Sequence, residues 1–93
     1  MSIELNFFGP LRDVVGAKTL NREVSGSTTI GELLVELATE FPSLENHHVD
    51  RSGEIPRELN VTVNGRNVRL LDGSETSLNE GDIVRLAPPV SGG

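Results

Sequence analysis

The 93-residue chain contains no cysteine, no tryptophan and no tyrosine, and its only aromatic residues are Phe7, Phe8 and Phe41. Without cysteine there is no disulfide, no thiolate nucleophile and no cysteine metal site. Lysine is nearly absent. Of eight basic residues only Lys18 is a lysine, so amine chemistry has one side-chain target. Fourteen acidic residues bring the formal net charge to −6. That excess argues against a nucleic-acid binder, which needs a basic face to neutralise phosphates, and against attachment to an anionic membrane surface. No apolar run approaches the roughly 18 residues that span a bilayer. The opening Met1-Ser2-Ile3-Glu4 lacks the basic and apolar regions of a secretory signal, so the expected location is the cytoplasm. A chain this short, 35 % apolar, is expected to form one small domain around one core.

Catalytic motifs are missing too. There is no phosphate loop or dinucleotide fingerprint, and the Ser25-Gly26 and Ser52-Gly53 pairs are turn chemistry rather than nucleophile elbows. His47-His48 is the one histidine cluster. Adjacent residues do not share a face of a helix or strand, and no cysteine completes a site, so loop histidines are expected and no metal. Asp50, Glu54 and Glu58 supply carboxylates without a partner motif. The chain is not expected to be an enzyme in its own right.

The regular patterns begin with Ile3, Leu5 and Phe7, which alternate with polar residues as in a half-buried strand over 2–8. Gly9-Pro10 ends it. Leu11, Val14 and Val15 make a helical turn stopped by Gly16, and 18–24 alternates again with Leu20 and Val24 on one face. Thr29 and Glu32 have capping-box spacing. Ile30, Leu33, Leu34, Leu37 and Phe41 then form one apolar stripe on a helix that Pro42 terminates. Residues 43–58 are polar, with a short helical piece expected near 43–49. Leu59, Val61 and Val63 mark a third strand, Asn64-Gly65 a hairpin turn, and 66–70 a short returning strand. Asp72-Gly73 is a turn, 76–78 a possible helical turn, and 83–87 the last strand with Val84 and Leu86 inward. One helix with one apolar face must cover one face of one sheet, which gives a two-layer α+β domain.

After the last strand comes Pro88-Pro89-Val90-Ser91-Gly92-Gly93. The prolines cannot continue a ladder. Gly92 and Gly93 lack a Cβ and fit a narrow channel beside another backbone. Fully extended, six residues reach roughly 20 Å, enough to enter a partner's active site while the body stays outside. A frayed terminus has the same composition.

Several segments together carry a resemblance that spans the chain. They are Phe7-Phe8-Gly9-Pro10-Leu11-Arg12-Asp13-Val14-Val15-Gly16 at the start, Thr29-Ile30-Gly31-Glu32-Leu33-Leu34 at the helix, Val63-Asn64-Gly65 at the hairpin and Leu78-Asn79-Glu80-Gly81-Asp82-Ile83-Val84 before the proline-glycine ending. In this order and spacing the chain resembles the ubiquitin-like β-grasp carriers: the molybdopterin synthase small subunit, the thiamine sulfur carrier and the small archaeal modifiers. The ending is most similar to the molybdopterin and archaeal-modifier branches. The resemblance implies a β-grasp domain over 1–87, a mixed sheet of about five strands covered on one face by one main helix, and a flexible tail over 88–93.

It also implies a chemistry. An E1-like adenylating enzyme would use ATP to convert the Gly93 carboxylate to an acyl adenylate, with no cofactor bound to this chain. Attack by sulfide, or by the persulfide of a sulfur donor protein, would leave a thiocarboxylate. Capture by a lysine of a target protein would leave an isopeptide bond. Gly93 is then the reacting residue, Gly92 provides access, and Pro88, Pro89, Val90 and Ser91 thread the partner's channel. The alternatives are a dedicated small subunit of molybdopterin synthase, its tail received by the large subunit, and an inert interaction module. Phe8 is out of phase with Phe7. It belongs either to the partner-binding open face of the sheet or under the 9–17 loop. Lys18 is either a self-conjugation site or a solvated edge lysine. The free protein is expected to be a monomer, and the Gly-Gly, being terminal here, to need no processing.

Overall fold

The computed structural model describes residues 1–88. Strand β1 (Ser2–Phe7) leads through a one-turn helix α1 (Pro10–Val15) to β2 (Thr19–Glu23). Helix α2 (Ile30–Glu40) follows, and then β3 (Asn60–Val63), β4 (Arg66–Asn67) and β5 (Ile83–Ala87). The sheet order is β2-β1-β5-β3-β4. The central β1–β5 pair is parallel, with Leu5 opposite Val84 and Phe7 opposite Leu86, and the other pairs are antiparallel. This is the expected mixed five-stranded sheet with one covering helix. No helix among the described residues is long and apolar enough to cross a membrane.

Local chemistry explains where α2 begins and ends. The Thr29 hydroxyl accepts the Glu32 N–H at 3.3 Å, and the Glu32 carboxylate accepts the Thr29 N–H at 3.0 Å. The reciprocal pair satisfies two donors that a helix start leaves open. At the other end Phe41, held before Pro42, has φ −123° and ψ 79°, outside the α region. Ile30, Leu33, Leu34 and Leu37 are buried against Ile3, Leu5, Phe7, Val61, Val84 and Leu86 of the sheet. The helix start also lies tight on the neighbouring loops. A Cβ added at Gly31 would stand 2.8 Å from the Gly53 carbonyl oxygen and 3.1 Å from that of Ser74.

Two expected elements are corrected. The returning strand over 66–70 pairs only at Arg66 and Asn67, and Val68–Leu70 is a 3-10 turn. The Asn67 side chain accepts the Arg69 N–H, and Val68 turns under the sheet edge to full burial while Leu70 is left in solvent. The helical turn expected at 76–78 lies earlier, at Gly73–Glu75. Ser77 instead bridges to Thr29 as an isolated antiparallel pair, and the Ile30 N–H reaches the Thr76 carbonyl at 2.9 Å. The strands of 2–8 and 18–24 each stop one residue short of expectation at the Phe8 and Lys18 ends, and β2 also ends at Glu23.

The long polar segment after α2 is more ordered than its composition suggests. It starts with a 3-10 helix, Pro42–His47, and sends Leu44 and Val49 into the core. The 64–65 hairpin is pinned to β5. Asn64 at φ 52° and Gly65 at φ 86° form the turn, and the Asn64 amide donates to the Asp82 carboxylate and accepts the Ile83 N–H, both at 2.9 Å. The buried Asp82 also accepts the Asn79 N–H at 2.7 Å, so its second oxygen is satisfied.

Candidate functional site

The site is built where β5 ends, because Pro88 leaves the sheet there. Gly9, with φ 62°, passes beside Pro88, and a Cβ at Gly9 would stand 3.2 Å from the proline Cγ. Glycine is therefore required at that position by backbone conformation and by space. The Phe8 N–H donates to the Leu86 carbonyl at 3.1 Å, tying the β1–α1 loop to the root of the tail. Phe8 itself is 37 % exposed. The Arg12 guanidinium lies 5.6 Å from the centre of its ring and donates to the Phe7 carbonyl at 3.0 Å. The 9–17 loop thus supports one side of Phe8 through Arg12 without burying it.

Beside this root opens a cleft of about 250 Å³ lined by Pro10, Leu11, Asn46, His47, His48, Glu58, Leu59 and Pro88. His48 turns the chain with φ 71°, a left-handed conformation uncommon outside glycine. Its Nδ1 lies 4.0 Å from the Glu58 carboxylate, and both side chains are more than half exposed, so the pair contributes little to stability. The sequence gives no sign of this grouping. His47, His48 and Glu58 lie far from Pro10 and Pro88 along the chain; the 3-10 turn after α2 brings the histidines there, and the stretch leading into β3 brings Glu58.

Of the expected site residues, Pro88 lies at the tail root beside Gly9, and Phe8 is tied there through its N–H to the Leu86 carbonyl. Pro89, Val90, Ser91, Gly92 and Gly93 lie outside the described residues. Lys18 is exposed at the entry to edge strand β2, and its carbonyl accepts the Phe7 N–H at 2.8 Å. Among the described residues there is no group of three or more His, Asp or Glu side chains placed to hold a metal. The arrangement presents Pro88, just past the end of β5, close to a partly exposed aromatic ring.

Comparison with known proteins gives this arrangement its context. Residues 5–93 match the model of the ThiS family. The chain is 41 % identical to small archaeal modifier protein 3 of Haloferax volcanii over 93 residues, covering the whole of both chains. The crystal structure of SAMP1 from Haloferax volcanii has a TM-score of 0.80 and 33 % identity, again covering all of both chains. Sulfur carrier protein CysO of Mycobacterium tuberculosis is 32 % identical over 75 residues, covering 77 % of this chain and 81 % of CysO. A chain of the BexX/CysO complex from Amycolatopsis orientalis has a TM-score of 0.76 and 26 % identity, covering 98 % of this chain and 99 % of that one. With a family match over nearly its whole length and a relative aligned from end to end, the chain belongs to the ThiS family of ubiquitin-like β-grasp proteins.

Proposed function

We propose that the chain is a ubiquitin-like protein modifier and sulfur carrier of the small-archaeal-modifier kind, activated at Gly93 by an E1-like adenylating enzyme. The full-length identity to small archaeal modifier protein 3 carries this reading. A carboxylate is a poor electrophile because its charge is delocalised. Adenylation by ATP gives the carbonyl a good leaving group. Sulfide or a persulfide then yields a thiocarboxylate, and a target lysine yields an isopeptide bond. The body acts as the handle. Binding energy from Phe8 and the tail root, made away from the reacting carbon, holds that carbon in register in the partner. The reading of a dedicated molybdopterin synthase subunit has less support, since small archaeal modifier protein 3 and SAMP1 of Haloferax volcanii each align over the whole of both chains.

Intact-mass analysis after incubation with ATP, an adenylating enzyme and a sulfide source tests this. The expected result is the gain of one oxygen-to-sulfur exchange at Gly93, abolished by deleting Gly92 and Gly93. In cells, target lysines are expected to carry residues 86–93 after trypsin cleavage, since Arg85 is the last basic residue before the terminus. Full activity of a chain whose terminus is amidated would overturn the proposal.

A further inference from the structure

The cleft beside the tail root is shaped for one side chain. Leu11 and Leu59, both buried, form its floor, and the exposed Pro10 and Pro88 flank it. Glu58 and His48 lie on the rim, each more than half exposed. At about 250 Å³ the cleft is smaller than the roughly 300–1,000 Å³ of sites that hold small ligands and cofactors. A single long side chain is an occupant of matching scale.

Charge says which side chain. The lining carries one carboxylate, that of Glu58, and neither lysine nor arginine. At 4.0 Å the His48 Nδ1 is beyond hydrogen-bond reach of that carboxylate, so its oxygens stay open to a third group. Arg69 is committed elsewhere. Its guanidinium donates to the Leu59 and Pro56 carbonyls, which also fixes the backbone on either side of Glu58. The His48 N–H donates to the Glu45 carbonyl at 3.1 Å, so both rim residues project from held backbone. An apolar floor below one open carboxylate matches an apolar stem with a cationic head. Arginine fits better than lysine, because a planar guanidinium takes a carboxylate through two hydrogen bonds and stacks on an aromatic ring such as imidazole. The net charge of −6 favours a basic partner surface as well.

Position says which partner. Pro88 both lines the cleft and begins the tail after β5. A partner that draws the tail in therefore lies against the cleft mouth. We propose that the cleft receives an arginine side chain of the activating enzyme. The stem packs on Leu11 and Leu59 between the two prolines, and the guanidinium binds the Glu58 carboxylate beside the His48 ring. The inference deepens the reading of Gly93 as an activated donor and rests on it. The contact is made at the tail root, away from the reacting carbonyl. It fixes how the body is seated and takes no part in the chemistry.

Two measurements test this on the full chain. The first titrates it with Nα-acetyl-arginine amide and follows the backbone amides of Leu11, His48 and Leu59 by nuclear magnetic resonance. Saturable shifts are expected at these amides. Nα-acetyl-norleucine amide, an uncharged apolar stem, is expected to bind about fivefold more weakly, and Glu58→Gln to weaken the arginine probe by about fivefold. The second is ATP–pyrophosphate exchange with the adenylating enzyme. Glu58→Gln is expected to raise the KM for this chain about fivefold with kcat little changed, while Glu54→Gln, at an exposed carboxylate outside the cleft, changes neither. No shift at the cleft amides, equal binding of the two probes, or an unchanged KM for Glu58→Gln would each overturn the inference and leave the activation of Gly93 standing. Movement of the same amides by Val90→Ser in the free protein would give the cleft to the chain's own tail, and would overturn it too. Absence of exchange in wild type would instead strike the activation of Gly93, and with it the partner named here, whatever the titration gives.

Discussion

The face of the sheet under α2 and the end of the sheet around Pro88 are organised in different ways. Beneath the helix, Leu33 and Leu37 are fully buried against Leu5, Val61 and Val84, and position is fixed by packing from several sides. At the tail root, Phe8 is held by one backbone hydrogen bond and one stacked arginine, and His48 and Glu58 stand in solvent. Packed residues resist movement because interiors are close to crystal density. The tail root keeps its backbone fixed while its side chains remain free to meet a partner. Substitutions should therefore divide into those that cost stability and those that cost activation.

The largest stability loss is expected under the helix. Leu37→Ala opens a cavity at a fully buried position and should destabilise by about 2–5 kcal/mol, read as a lower denaturation midpoint at an unchanged slope. A smaller but definite loss is expected at Gly31→Ala. Alanine favours a helix by about 1 kcal/mol, yet its Cβ would meet two backbone carbonyls at 2.8 and 3.1 Å. Overpacking costs about 1–3 kcal/mol, and carbonyls fixed in the chain yield less than the end of a side chain. A stabilised variant would show that the 50–54 and 73–75 loops do not hold this close approach in solution.

Thr29→Ala removes the hydroxyl half of the capping box and should cost about 1 kcal/mol, while Thr29→Ser should recover most of it. Equal stabilities for the alanine and serine variants would mean that the Ser77 bridge and the Thr76 hydrogen bond, rather than the cap, fix the start of α2.

The helix-covered face was largely legible in the sequence because its signals are local. The Ile30–Leu37 stripe, the Thr29–Glu32 spacing and the alternation in β1 and β5 each follow from helix or strand periodicity. Residues 66–70 misled for the opposite reason. Val68 and Leu70 alternate as in a strand. Yet Arg69 reaches back to the Leu59 and Pro56 carbonyls and Asn67 caps the turn, contacts set by tertiary structure. The same holds for 76–78, where the Thr76 hydroxyl accepts the Asp72 N–H at 3.1 Å and Ser77 is drawn to Thr29. At the candidate site, Phe8 announced itself by breaking phase with Phe7. The cleft did not, because the loop carrying His47 and Glu58 is placed by Leu44 and Val49, two apolar residues isolated in a polar stretch.

Phe8→Ala is the sharpest test of the division, with the smallest expected effect on stability. The ring is 37 % exposed, and an exposed cation–π contact is worth about 0.5–1 kcal/mol, so the unfolding free energy should fall by about 1 kcal/mol or less. Truncating an aromatic anchor at an interface costs about 2 kcal/mol or more when the partner buries it. Activation at subsaturating protein should therefore drop on the order of tenfold or more, as a rise in KM for this chain with kcat little changed, since the ring is remote from the reacting carbonyl. Phe8→Leu should recover part of the loss by restoring apolar area without the π face. If Phe8→Ala instead unfolds the domain as severely as Leu37→Ala, the ring belongs to the core and the handle must be sought elsewhere on the tail root. If neither stability nor KM moves, the partner grips the tail alone, and the exposed ring has no part in activation.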